Sequence, residues 1–153
     1  MKKVILKVSV LFALFSFFGI ACDDDDTNTP SEFQEQEYLK FSDFGCEDIG
    51  WNLKAENIGN YYVIESADEL HNHVEYNCNL DVDFNNYFVI VGAENFATGS
   101  SLVSEEVVAN NAELVYTITF QKYFTQSPTV TEYHIILENE LKARKIKVVK
   151  KVI

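Results

Sequence analysis

The sequence predicts an α+β domain, a mostly antiparallel β-sheet with one main α-helix packed on it. Three observations point that way. One segment alone has the cap and the period of a good helix. Six segments have strand patterning. Most of those strands follow one another without an intervening helix, the order expected when helix and antiparallel sheet are segregated.

The helix begins at Ser66. Ser66 and Glu69 form an S-x-x-E capping box, in which each side chain satisfies a free backbone amide at the helix start. Ala67, Leu70, Val74 and Cys78 recur at helical spacing on one face, so the helix is expected to end near Asn77. Asp68 and Glu69 occupy the first turn, where the helix dipole favours negative charge.

The clearest strand is "ELVYTITFQ". Leu114, Tyr116, Ile118 and Phe120 fall on one side, and Val115, Thr117 and Thr119 on the other. "NYFVIVGAE" is continuously apolar over residues 87–91, which suits a central strand buried on both faces. "YYVIE", "SLVSEEVV", "VTEYHIIL" and "KIKVVKKVI" are further β-branched runs.

The 153 residues are enough for one domain, and a 47% hydrophobic content supplies a core. The net charge of −12 is unevenly spread. Lys2, Lys3 and Lys7 sit at the start, and Lys142, Arg144, Lys145, Lys147, Lys150 and Lys151 near the end, so the body between is more acidic still. Such a body repels a phosphate backbone, and no nucleic-acid partner is expected. The basic tail reads as an edge strand whose lysines face solvent and blunt aggregation.

Residues 1–21 have the grammar of an export signal: a lysine start, an uncharged apolar run over residues 8–21, and small Ala21 before Cys22. The run is short beside the about 20 apolar residues of a stable span, a retained membrane anchor being the alternative. The apolar run closing on Ala21-Cys22 resembles the lipobox of bacterial lipoproteins. That resemblance implies a diacylglycerol on the Cys22 sulfur, cleavage before it, and an acyl chain such as palmitate on the new amino terminus. Several acyl chains anchor stably, at about 0.8 kcal/mol per buried methylene. The acidic run Asp23, Asp24, Asp25, Asp26 resembles the surface-export signal of one Gram-negative phylum's lipoproteins, which implies an outer-membrane, cell-surface location. It also serves as a solvated linker. The expected organisation is a signal peptide at 1–21, an acidic tether at 22–36 and a folded domain at 37–153.

The segments "YYVIESADELHNHV", "LDVDFNNYFVIVGAENFATGSSLVSEEV", "ELVYTITF" and "TEYHIILE" resemble, over residues 61–152, the C-terminal domain family of the protease-complex subunit PrcB. The shared pattern is a strand and capped helix, then Asp83-Phe84 leading into a hydrophobic strand. A small-residue turn follows, here Thr98-Gly99-Ser100, and then an alternating strand and a "Y-H-I-I" strand. The resemblance implies a small non-catalytic accessory domain, often on a lipoprotein, with a protein partner such as a protease. The turn itself reads first as structural, with Gly99 supplying a positive φ. As a contact loop it would present Asn95, Phe96, Thr98, Gly99 and Ser100, with Phe96 the aromatic anchor. "NFATGSS" also resembles the binding loop of chagasin-like inhibitors, so the alternative function is a lipid-anchored protease inhibitor acting through residues 93–101.

With Cys22 lipidated, Cys46 and Cys78 remain as an even pair in an oxidising compartment. Joined, they close a loop worth roughly 3.7 kcal/mol in the chain-entropy model; the alternative is two free buried thiols. His71 and His73, two apart on the helix, point to different sides and do not form a metal pair; His134 stands alone in a strand. "DVDFNN" lacks the glycine and distant glutamate of a calcium loop. Glu105 and Glu106 read as a solvated strand end. No catalytic constellation, phosphate loop or metal motif is present, so neither an enzyme nor a cofactor is expected.

Overall fold

The computed structural model describes residues 31–47 and 50–153. The expected signal peptide, the expected lipid-attachment residue Cys22 and the four aspartates after it lie outside the described residues. In chain order the elements are β1 (Gln34–Glu35), β2 (Trp51–Leu53), β3 (Tyr61–Ile64), α1 (Ala67–His73) and β4 (Val74–Tyr76). Then come β5 (Tyr87–Phe96), β6 (Ser100–Ala109), β7 (Glu113–Lys122), β8 (Thr129–Glu138) and β9 (Lys145–Val152). This is the mostly antiparallel α+β architecture read from the sequence.

The strands form three sheets, ordered β1-β6-β7-β9, β3-β5-β8 and β2-β4. Only β7 and β9 run parallel; the other pairs are antiparallel. The β3-β5-β8 sheet lies in the middle. One face, with Phe88, Ile90, Ile135 and Leu137, packs against Val107, Leu114, Tyr116, Ile118 and Phe120 of the larger sheet. The opposite face, with Val89, Val91, Ala93 and Ile136, is covered by Phe41, Trp51, Leu53, Leu70 and Val74. The unbroken apolar run in β5 follows from this: a strand with no solvent face has no place for a polar alternation. The alternation in β7 is equally direct, since Leu114, Tyr116, Ile118 and Phe120 are all 0% exposed while their neighbours are half-exposed.

The helix is shorter than its periodicity predicts. Ser66 caps it, its hydroxyl accepting from the Glu69 amide at 3.2 Å, and the Glu69 carboxylate accepts from the Glu65 amide at 2.7 Å. It stops at His73 instead of near Asn77, and Val74–Tyr76 continue as β4. β-Branched Val74 loses little by extension, and pairing with β2 buries it beside Trp51 and Leu53, so tertiary packing overrides a spacing compatible with helix. Cys46 and Cys78 come together as a disulfide pair with Cα atoms 5.2 Å apart. The bond fastens the segment before Trp51 to the end of β4.

The chain is tied down before the expected tether boundary at residue 36. Ser31 and Asn111 exchange hydrogen bonds, the Ser31 amide to Asn111 Oδ1 at 3.3 Å and the Asn111 amide to Ser31 Oγ at 3.0 Å. Gln34 and Glu35 pair with Ala109 and Val108 of β6. Leu39 then exchanges two 2.9 Å backbone bonds with Ile136 of β8. Residues 31–41 thus form a strap that passes from the β6 edge of one sheet to the β8 edge of the other. A polar, acidic composition concealed it, because the strap contributes backbone hydrogen bonds more than apolar burial.

Gly92 shows where the middle sheet has no room. It stands opposite Tyr133, whose phenol lies directly over it, and an added Cβ would also approach the Asn60 carbonyl to 2.8 Å. Gly92→Ala is therefore expected to lower stability by about 1–3 kcal/mol through overpacking, read as a lower urea midpoint at unchanged slope.

Candidate functional site

Three features of the folded domain bear on function: a polar hub beneath the strap, an apolar end, and a basic edge. The hub depends on a β-bulge. The β6–β7 register slips between Leu102 and Ser104, so that Leu102 opposes Phe120 while Glu105 opposes Ile118. The bulge reverses the inward and outward faces of β6. Glu105 consequently points inward, its side chain only 8% exposed, while Glu106 stays exposed; the sequence reading of both as a solvated strand end is corrected for Glu105.

Glu105 is fully occupied there. One carboxylate oxygen pairs with Lys40 Nζ from the strap, and the other accepts from the Tyr116 hydroxyl. Its backbone carbonyl accepts from the Tyr38 hydroxyl at 3.3 Å, and Lys40 Nζ also donates to the His134 carbonyl on β8. Burial, then the adjacent Glu105 charge, pushes the Tyr116 hydroxyl far up, so it remains a donor. Tyr38 is raised by burial, then by Glu105 and Glu35. Both carboxylate oxygens of Glu105 and the Lys40 ammonium are engaged, which suits a clamp across the seam.

His134 completes the clamp. Its Nε2 accepts from the Phe41 amide at 2.8 Å, its ring stacks on Phe41 with centroids 4.1 Å apart, and Trp51 meets it edge-on at 4.6 Å. Accepting at Nε2 requires the proton on Nδ1 of the neutral ring. Burial, with the Lys40 charge adding to it, lowers the ring to about 3. Of the other two histidines, His71 stacks on Tyr76 with its Nε2 3.1 Å from that hydroxyl, while His73 stacks on Tyr62 and its buried Nδ1 has no hydrogen-bond partner among the described residues. No group of three His, Cys, Asp or Glu side chains suited to a metal occurs among the described residues. In "DVDFNN", Asp83 accepts from the Asn85 amide at 3.0 Å and from the side chains of Asn85 and Asn86. Those bonds, the Asn85 amide first, lower the Asp83 carboxyl and set the turn into β5. Beside the hub, Trp51, Ser100, Glu132 and His134 help line an open cleft of about 500 Å³. Burial raises the Glu132 carboxyl there, although it accepts from the Leu53 amide at 2.6 Å.

The contact loop expected from the sequence is rebuilt by the structure. Phe96 is buried, its ring 5.2 Å from that of Phe120, and so offers no exposed anchor. Gly99 is buried and does not have the positive φ that the turn reading assigned to it; Gly45 and Gly59 do. Gly99 is small because Thr125 packs against it, the Thr125 hydroxyl accepting from its amide at 2.7 Å. Ser100 bonds the hydroxyls of Thr129 and Thr131, and Thr129 Oγ1 donates to the Thr98 carbonyl at 3.1 Å. Thr98 and Ser100 thus fasten the corner where the chain changes sheets, and among the five residues only Asn95 is exposed.

The exposed aromatic lies across that corner, in the β7–β8 loop. Phe124 is fully exposed, and Tyr123, Val130, Val152, Ile153 and Val103 surround the same end. These are six of the eight exposed large hydrophobic residues among the described residues, so that apolar surface is concentrated rather than scattered. Backbone bonds hold the end together: Tyr123 N to the Gly99 carbonyl at 2.7 Å and Lys122 N to the Ile153 carbonyl at 3.0 Å. Nothing in "YFTQSP" tells which of its rings faces water, because that depends on the sandwich corner.

No protein-family model matches the chain, and no curated protein or solved structure matches it.

The His134 environment has a pH consequence. Unfolded, the imidazole binds its proton near the ordinary 6.5, whereas in the fold it resists until about 3. The unfolded state therefore holds more protons between those values, and stability falls as pH drops through that window while staying flat above it. The slope is about 1.4 kcal/mol per pH unit for one proton. Urea unfolding between pH 7 and 5, above most carboxylate titration, is expected to show this loss, and His134→Gln to remove close to one proton of it.

Proposed function

We propose that this chain is a lipid-anchored protein of the outer membrane, displayed at the cell surface through Cys22, whose domain binds a protein partner with its apolar end. The observation that supports the reading most directly is the position of that end. Ser31, the first described residue, is held at the β6–β7 turn through Asn111. Phe124 follows the opposite end of β7, a ten-residue strand, which puts about 30 Å between the two. A domain anchored through residues upstream of Ser31 presents its apolar end away from the attachment. An aromatic and aliphatic cluster of this kind is suited to burial against another protein. The PrcB-like resemblance supports a protease complex as the partner class. No helix among the described residues is long and apolar enough to cross a membrane, and the anchor assigned here is the acylated cysteine.

The inhibitor alternative drew its force from residues 93–101 as an exposed loop. With Phe96 in the core, the partner-facing role passes to Tyr123 and Phe124.

A photocrosslinking residue at position 124 on intact cells is expected to give one discrete adduct, absent when the probe stands at exposed position 106. No adduct, or the same adduct from both positions, would overturn the apolar end as the contact. Cys22→Ser is expected to move the protein out of the membrane fraction and to abolish palmitate labelling; unchanged fractionation would remove the anchor.

A further inference from the structure

The apolar end continues into the outer edge of β9, and that edge has its own chemistry. β9 stands last in its sheet, paired on one side only, with β7. The pairing is in unbroken register from Lys145 with Glu113 to Val152 with Phe120. Lys145 donates its amide to the Ala112 carbonyl and Ile153 donates to the Phe120 carbonyl, each at 2.9 Å. Alternation along the strand then turns the amides and carbonyls of Ile146, Val148, Lys150 and Val152 outward, where no strand among the described residues pairs with them. The strand is eight residues long, unbulged and free of proline, so the usual geometric protections of an edge are missing.

Its charge is equally distinctive. In a chain of net charge −12, six of the basic residues are gathered at Lys142, Arg144, Lys145, Lys147, Lys150 and Lys151. Lys150 points inward and pairs with Glu94 of β5, which corrects the expectation that all these lysines face solvent. Lys142 pairs with Glu65, and Lys145 lies 3.9 Å from Glu113. Arg144, Lys147 and Lys151 have no ion pair among the described residues.

We infer that the outer edge of β9 is a docking lane for an extended acidic polypeptide segment of the partner, which adds to the sheet as a fifth strand. The inference rests on the partner-binding reading and specifies the chemistry of that partner. Backbone bonds to the outward groups of Ile146, Val148, Lys150 and Val152 supply the pairing. Glutamate or aspartate at alternate positions of the incoming strand meets Lys147 and Lys151 on the outer face. The same lysines disfavour a second copy of this chain, since two β9 strands side by side would set lysine against lysine. The lysines that blunt aggregation therefore also select the partner, because discrimination is a difference between the acidic strand and the self-pair.

The test uses the full chain and a synthetic ten-residue peptide alternating glutamate and threonine, with a lysine-threonine peptide as the control. The acidic peptide is expected to slow hydrogen exchange at the amides of Ile146, Val148, Lys150 and Val152 by tenfold or more, and the basic peptide to leave them unchanged. Lys147→Glu combined with Lys151→Glu is expected to weaken binding at least tenfold. Val148→Pro, which removes an outward amide that β7 does not use, should abolish the protection. Should that variant lose its fold, the exposed double charge reversal decides alone. Binding without protection of the outward amides, binding indifferent to charge reversal, or protection that appears with protein concentration alone, as a self-paired dimer would give, each overturns the lane. A crosslink from position 124 without peptide protection sinks the lane and spares the partner reading. Protection without that crosslink supports the lane and sinks the apolar end.

Discussion

The ten-residue ladder between β5 and β8, from Tyr87 with Glu138 to Phe96 with Thr129, is the constraint on which the rest of the molecule depends. Residues 88–93 of β5 and 133–137 of β8 are buried on both faces, so each face must be covered before the pair is stable in water. The larger sheet covers one face. Among the described residues the other is covered by short elements: a seven-residue helix, a two-strand ribbon and the Phe41 turn. Short elements bury little surface each and are marginal alone. The Cys46–Cys78 link and the aromatic cluster of Phe41, Trp51 and His134 bind them into one lid.

The same ladder leaves β8 with a free edge, and the strap and the apolar end are two responses to it. At one end of β8 the Ser100, Thr129 and Thr131 hydroxyls stitch the corner to β6. At the other end β6 and β8 diverge, and the strap crosses between them with a two-residue pairing on one side and the Leu39–Ile136 bridge on the other. Any load arriving through residues upstream of Ser31 reaches the domain by way of this strap. Its fastening therefore matters more to an anchored protein than its few hydrogen bonds would suggest for a free one.

How much was legible in the sequence follows from which forces are local. Alternation in β7, the two-faced run in β5 and the Ser66 cap are written in neighbouring residues, and all three were readable. The pairing of Cys46 with Cys78 needed only compartment logic and an even count. The end of the helix was not readable, because Ala67, Leu70, Val74 and Cys78 satisfy a helical spacing as well as a helix followed by a strand. Phe96 looked like an exposed loop aromatic because the chain changes sheets just after it, and only the Phe120 contact reveals the ring as core. Glu105 was misjudged for a related reason: the bulge beside Val103 shifts the phase of β6, and nothing in "SLVSEEVV" announces a shifted phase. Gly99 was read correctly as a position needing glycine, for the wrong reason, since a close approach by Thr125 and a positive φ leave the same letter in the sequence.

The Glu105 hub shows why a buried ion pair can be retained without adding much stability. Taking Lys40 and Glu105 out of water costs much of what their attraction returns, and an apolar pair of similar size would often be as stable. An apolar pair would, however, let the strap slide. Leu39 and Phe41 find apolar contacts with Ile136 and its neighbours, but apolar contact is non-directional and does not by itself fix a register. Lys40 can satisfy both the Glu105 carboxylate and the His134 carbonyl only in one register, and that register also delivers the Phe41 amide to His134 Nε2. A charge and a buried imidazole thus specify where a weakly apolar segment must sit. The cost falls at acid pH, where the imidazole is the first of these groups that the unfolded chain protonates and the fold does not.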